Sequence, residues 1–383
     1  FQKKQAGYDT IFFFPFYHTG GAEKVHLQIA AACATEKSVI YFTRHSVDDT
    51  YLNEFKALGC TLIDISRYTD RKPLLFLNFI FRGLITAQIN KQRVRPVVFN
   101  GQSNFGYKVS PWLRRSIPQV DLIHALNTFS RIRVPFLRYY RVSLTVSQEI
   151  IDKHNALYNK LGVPQSLQGR LIYINYGIEL PSDIPERTIP EFPKVLFVGR
   201  GSPEKRIPLA AEIAAVAVKT GMKIQFRFAG PVAEYIPEPL SSFCEQLGTV
   251  GSKTELEKVY RAHDILLLTS ETESGPLVVL EAMANGLAVM ATPVGIVPGL
   301  RDSGMQGLMF SSVVDEKKIV EEAIRFLRQL PSLSSSYQYF LFLALVLPLI
   351  GRCQLSGSWL ARAGRAGATA RSGRSRAAAW LRR

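Results

Sequence analysis

Cysteine is scarce in this chain of 383 residues. There are four, at positions 33, 60, 244 and 353, with no CxxC pair and no spacing that would seat a metal. A disulfide framework and a zinc site are thereby excluded as organising features, and a reducing compartment is expected. Apolar runs of bilayer length are also missing. The two richest stretches, 72–90 and 339–350, are interrupted by Asn78 and Arg82 in the first and by Pro348 in the second. Both fall short of the roughly 20 residues that a spanning helix requires. No basic, apolar, small-residue leader precedes the first apolar run, so a cytoplasmic location is expected. A full GxGxxG dinucleotide fingerprint is absent, and residues 331–383 contain eight Arg but no Asp or Glu.

What is present describes a globular protein. Hydrophobic residues make up 47% and charged residues 20%, and the length accommodates two domains, each with its own core. The net charge of +16 is unevenly placed. Residues 1–185 carry 23 Lys and Arg against 13 Asp and Glu, whereas 186–330 carry 16 against 18. The basic half and the basic tail suit an anionic partner, either a membrane surface or nucleic acid. Clusters at Trp112–Arg115 and Arg131–Arg141 interleave Arg with aromatic side chains. They read as lipid-headgroup or phosphate contacts, or as a solvated face.

The stretch 265–291 organises the rest. Ile265–Thr269 is an apolar strand, 270–275 a polar loop, and a helix opens at Pro276 and closes at Asn285-Gly286 before a second buried strand. Proline suits a first helical turn, where its missing N–H needs no partner, and glycine suits a left-handed cap. Glu273 and Glu281 bracket the unit with seven residues between them. A helix start favours an anion such as a diphosphate, which leaves carboxylates beside it suited to sugar and ribose hydroxyls. The bland alternative is two solvated carboxylates on an ordinary βαβ unit.

Upstream, alternating strands and helices continue the pattern. Tyr8–Tyr17 reads as a strand, His18–Glu23 as a loop containing Gly20-Gly21, and Lys24–Cys33 as a helix. Lys72–Asn90 reads as a core helix or as an amphipathic face lying on a membrane. A strand ends at His124, and Leu180–Pro193, with four prolines, is the best linker. Lys194–Val198 then runs into a loop with Arg200 and Lys205, and the helix Ile207–Lys219 follows.

Together these motifs resemble the retaining GT-B-fold glycosyltransferases of family four, the glycosyl transferases group 1 type. The resemblance covers residues 8–330 and rests on Glu273 and Glu281 ahead of Ala282-Met-Ala-Asn-Gly286, on Gly199-Arg200 through Lys205, and on Gly20-Gly21-Ala22-Glu23. The fold it implies is α/β, two Rossmann-like domains facing a cleft. Residues 1–185 would be the acceptor domain, 186–330 the nucleotide-sugar domain, and 331–383 an atypical tail. That tail reads as an aberrant reading frame or, alternatively, as a basic membrane anchor. Carried over residue by residue, Glu273 meets the donor sugar, Glu281 the ribose, and Arg200 and Lys205 the diphosphate. His124 faces sugar and acceptor, with Leu126 standing where many relatives have a second His. Gly20 and Gly21 approach the donor phosphate or the acceptor. Thr249 and Val250 hold the nucleobase, and Gly275, Leu277 and Val278 complete the donor-binding set at the helix start. Thr292-Pro-Val-Gly295 departs from the family pattern by lacking its second Gly and its Glu.

The implied reaction moves a sugar from a nucleoside-diphosphate sugar to a glycan or lipid-linked acceptor. It proceeds with retention and without a metal or other cofactor, in the cytoplasm or peripherally on the inner membrane face. One rival is a sugar-nucleotide-binding or inactive product lacking the family's closing helix. Another is a nucleic-acid-binding protein using the basic first half, although no recognised nucleic-acid module occurs.

Overall fold

The computed structural model of the protein describes residues 7–18, 20–70, 75–174, 177–178, 181 and 190–333. These divide into two compact units. The first holds the described residues up to Ile174 except Val146–Ile150, and the second holds the remainder. Most of the proposed linker, the boundary at 185/186 within it, and the tail beyond 333 lie outside the described residues.

The first unit contains β1 (Thr10–Phe14), β2 (Ser38–Phe42), β3 (Thr61–Asp64), β4 (Val97–Asn100), β5 (Gln119–Ile123), β6 (Val142–Thr145) and β7 (Leu171–Tyr173). They form one sheet in the order β3-β2-β1-β4-β5-β6-β7, with every pair parallel. Helices cover both faces of such a sheet, so its strands are apolar on both sides. Ile11 and Phe13 pack with Val39 and Tyr41 on one face. On the other, the rings of Phe12 and Phe14 approach Phe99 at 5.7 and 6.2 Å. The sequence pattern places the first strand over 8–17, but pairing stops at Phe14, where Pro15 offers no N–H to the ladder. The predicted helix over 72–90 is observed as Leu75–Asn90.

A buried polar knot ties the middle of this sheet. Asp121 on β5 accepts a hydrogen bond from Tyr107 Oη at 2.8 Å and one from Ser143 Oγ at 3.4 Å. Arg133 Nη1 lies 3.5 Å from Asp121, with both side chains excluded from solvent, and Arg133 also donates to Tyr158 Oη. Burial pushes the Asp121 carboxyl up to about 6, against the pull of the Arg133 charge.

The second unit contains β8 (Lys194–Val198), β9 (Gln225–Ala229), β10 (Glu245–Gly248), β11 (Ile265–Leu268), β12 (Ala288–Ala291) and β13 (Gly307–Met309). Their order, β10-β9-β8-β11-β12-β13, is again parallel throughout. Alternate residues feed two cores. Val195, Phe197, Ile265 and Leu267 pack with the helix Ile207–Lys219, while Leu196, Leu266 and Leu268 pack with the helix Leu277–Ala284. Both sheets are doubly wound α/β structures, as the alternation in the sequence implies. In such sheets ligands bind beyond the carboxyl ends of the strands, where the order reverses. That point lies between β1 and β4 in the first unit and between β8 and β11 in the second. Among the described residues, no helix is long and apolar enough to cross a membrane.

Candidate functional site

In the second unit, β8 leads into the loop 199–206 and β11 into the loop 269–276, so both loops leave the sheet at its switch point. Lys205 closes the short turn Pro203–Lys205, and its Nζ forms an ion pair with Glu273 Oε1. Each side chain is only 16% exposed. Ser270 Oγ donates to the same carboxylate oxygen at 2.9 Å. Two donors on one oxygen leave the other available for a hydroxyl.

Arg206 fixes the distance between these loops. Its backbone is left-handed, with φ at 47°. Its guanidinium donates to Thr269 O at 2.7 Å, to Ser270 O at 3.4 Å and to Val313 O, and lies 3.8 Å from Glu316. In return Thr269 Oγ1 reaches Lys205 O at 2.9 Å, and Glu271 N donates to Glu204 O at 2.8 Å. Arg206 thus holds main-chain carbonyls in place. Sequence reasoning named Arg200 and Lys205 as the cations and did not single out Arg206 or Ser270. Arg200 is placed differently from Lys205. Its side chain is 71% exposed and pairs with Glu204 Oε1 at 3.6 Å.

Glu281 is the fifth residue of the helix Leu277–Ala284, whose N-terminus has no side-chain cap. Tyr260 Oη donates to Glu281 Oε2 at 2.9 Å. Burial first, and the Glu281 charge second, hold the Tyr260 phenol well above its usual range, so it remains a neutral donor. Tyr260 lies on the helix Lys253–Arg261, which follows Thr249 and Val250. Its spacing with Leu256 and Val259 is that of an apolar helix face, and nothing local in the sequence points to its acidic partner. Thr249 is exposed and Val250 half-buried beyond β10, while Leu277 is buried and Gly275 and Val278 half-buried. Three strands end here at glycines. Gly199 N donates to Ala229 O at 3.0 Å, and Gly230 N donates to Gly248 O at 2.7 Å. A Cβ on Gly230, at φ 118°, would lie 1.8 Å from Gly199 O.

In the first unit, Gly20 and Gly21 open the helix Gly21–Cys33 at the end of the loop after β1. A Cβ on Gly20 would lie 2.0 Å from Glu23 Oε2, the far end of a flexible side chain that folds back over the glycine, whereas the space around Gly21 is open. About one and a half turns on, His26 stacks on Phe14 at 4.5 Å and places Nε2 2.9 Å from His124 Nε2. The helix thereby joins the glycine loop to His124. His124 N donates to Gln102 Oε1 at 3.2 Å, and Gln102 is itself left-handed at φ 61°. Two ring nitrogens at this separation share one proton; because burial disfavours the charged form of both rings, the pair is neutral near pH 7 and the imidazole that accepts carries its proton on Nδ1. Burial pushes His124 down to about 4 and holds His26 well below its ordinary value.

This pair predicts an acid-sensitive fold. The unfolded chain takes up these protons below about pH 6.5, whereas folded His124 does so only near 4. The stabilisation is therefore fully present above the unfolded value and is lost as pH falls towards the folded one. Its size for His124 is on the order of 3 kcal/mol. Urea midpoints measured at neutral and mildly acid pH should separate accordingly, and His124→Asn should narrow the gap.

Known proteins resemble the chain in sequence over its second unit and in overall fold. Residues 192–329 match the family model described as Glycosyl transferases group 1. D-inositol 3-phosphate glycosyltransferase of Mycobacterium marinum is 27% identical over 232 residues, covering 52% of this chain and 49% of that protein. The chain spans about half the length of the curated relatives that it matches first. Among solved structures, Anabaena Alr3699/HepE in complex with UDP and glucose superposes with a TM-score of 0.59 at 15% identity, covering 86% of this chain and 98% of that one. WaaG, a glycosyltransferase involved in lipopolysaccharide biosynthesis, superposes with the same score and identity over 95% of this chain and 100% of its own. The second unit thus resembles the glycosyl transferases group 1 family over residues 192–329, and the two Rossmann-like domains have the GT-B fold.

Proposed function

We propose that the protein transfers a glycosyl group from a nucleoside-diphosphate sugar, with UDP-sugars the first candidates, to a hydroxyl of a glycan or lipid-linked acceptor. The transfer retains the anomeric configuration and needs no metal. The observation that carries this reading is the Lys205–Glu273 pair at the switch point between β8 and β11. In the free protein the two groups satisfy one another. With donor bound, Lys205 turns to the diphosphate and Glu273 to sugar hydroxyls. The C1–O bond to the diphosphate breaks and the acceptor oxygen attaches to C1 from the same face. The acceptor's proton passes to the departing phosphate oxygen. A cation fixed where negative charge develops lowers that barrier. Glu281, oriented by Tyr260, accepts from the ribose. His124 offers one ring nitrogen to a sugar or acceptor hydroxyl. Exposed Arg200 is unconstrained enough to reach the phosphates.

An anionic membrane surface is part of the same proposal. The helix Leu75–Asn90 exposes Phe76, Phe79 and Leu84, and Trp112, whose carbonyl accepts from Asn90 Nδ2 at 2.9 Å, is 70% exposed. Such side chains, beside Arg114 and Arg115, suit peripheral attachment to the inner face.

The test is incubation of the full chain with a panel of UDP-sugars in EDTA, measuring UDP release and the product's anomeric proton coupling. Release with retained configuration is expected. Tight nucleotide binding without turnover would favour the binding-protein reading instead. Inversion, or activity only after a divalent metal is restored, would overturn the mechanism.

A further inference from the structure

A cavity of about 350 Å³ opens in the first unit at the carboxyl ends of its strands. It is lined by Arg44 and Asp70 from the segments after β2 and β3, by Asn104 and Lys108 from the helix Asn104–Val109 after β4, and by Asn78 and Arg82 from the helix Leu75–Asn90. None of these residues belongs to the donor site described above.

The polar groups in this cavity satisfy one another only in part. Asp70 is the lining carboxylate, and it is already engaged by Arg44 Nε at 3.1 Å and by His45 N at 3.0 Å. Arg82 Nε is buried without a partner, although its guanidinium lies 4.8 Å from the Phe79 ring. The proton affinity of Lys108 is lowered by burial and then by the Arg82 charge, so two cations face the same space. Asn78 donates to Thr69 O at 2.8 Å, yet its Oδ1 is buried and unpaired, and so is Asn104 Oδ1. Buried polar atoms of native proteins are nearly always bonded, and orphans left in a cavity describe the molecule that fills it. Here they ask for negative charge at Arg82 and Lys108 and for donors at two amide oxygens. A plain inorganic anion meets only the first demand.

We propose that this cavity binds a small hydroxylated anion, of the phosphorylated-polyol class, with its phosphate on Arg82 and Lys108 and its hydroxyls on Asn78 and Asn104. The binding stands on the cavity alone. That the bound group belongs to the sugar acceptor rests on the transferase reading. The same chemistry is found in a free polyol phosphate and in the headgroup of a phosphoglycerol lipid, and the exposed Phe76 and Phe79 on the Arg82 helix allow either source.

Calorimetry of the full chain with sn-glycerol 3-phosphate, with glycerol as the uncharged control, tests the soluble source. Pelleting with phosphatidylglycerol vesicles, against phosphatidylcholine vesicles, tests the lipid. Arg82→Gln and Lys108→Gln should each weaken whichever interaction is found by about tenfold or more, and Arg82→Lys should restore part of it. Circular dichroism of each variant reports whether the fold is kept. Absence of binding in both arms, or equal binding by folded wild type and the double variant, would overturn the proposal. UDP binding measured on the same samples separates the two readings. A chain that binds glycerol phosphate but no UDP-sugar keeps this site and loses the transferase.

Discussion

Replacing Lys205 with Met should lower kcat/KM for a nucleotide-sugar donor by about two to three orders of magnitude, as removal of one preorganised charge-stabilising donor typically does. Two effects combine in this loss. The cation proposed to face the departing diphosphate disappears, and Glu273, which Lys205 holds together with Ser270, loses its anchor. Glu273→Gln keeps the shape of the side chain but not its charge, and is expected to reduce turnover while leaving UDP affinity nearly unchanged. Because the two side chains act as a unit, the double variant should be little worse than Lys205→Met alone. Steady-state kinetics on the four proteins, with UDP binding measured separately, tests this. Strictly multiplicative losses would show that the ion pair has no shared role.

The second large effect concerns stability. Arg133→Met should destabilise the first unit by about 3–5 kcal/mol, because it leaves the Asp121 carboxylate buried without its counter-ion. Asp121 would retain hydrogen bonds only from Tyr107 and Ser143. The carboxyl, already pushed up to about 6, should then hold its proton more firmly still. Arg133→Met combined with Asp121→Leu removes both charges and is expected to recover much of the loss. Urea unfolding followed by circular dichroism gives the comparison. A single variant as stable as wild type would show that water reaches the pair.

The sequence carried the elements better than their meetings. The apolar stretch Lys194–Val198 and the helix Ile207–Lys219 appear where apolar period and flanking residues put them, because both follow from local chemistry. β4 and β13, of four and three residues, were too short to show a period and went unread. The helix opening at Pro276 begins one residue later, at Leu277. The candidate site divides in the same way. Lys205 and Glu273 stand on recognisable motifs, yet their contact spans 68 positions. His26 meets His124 across 98 positions, and Arg206 meets Thr269 across 63. Tyr260 and Glu281 are nearer in sequence but sit on separate helices. A tyrosine on an apolar helix face and a histidine near a helix start have ordinary structural explanations, and only the folded sheet brings their partners to them.

The glycine ends of β8, β9 and β10 have a consequence for how this protein can be altered. Truncating side chains there removes nothing, because that ledge is made of bare peptide, and a conventional alanine scan of larger residues would pass over it unnoticed. Sensitivity runs the other way, towards gain of bulk: a single added methyl at Gly230 would drive into the Gly199 carbonyl. Added bulk at Gly230 is therefore excluded by backbone, and a ligand resting on this rim would be read by amide and carbonyl groups that substitution cannot delete.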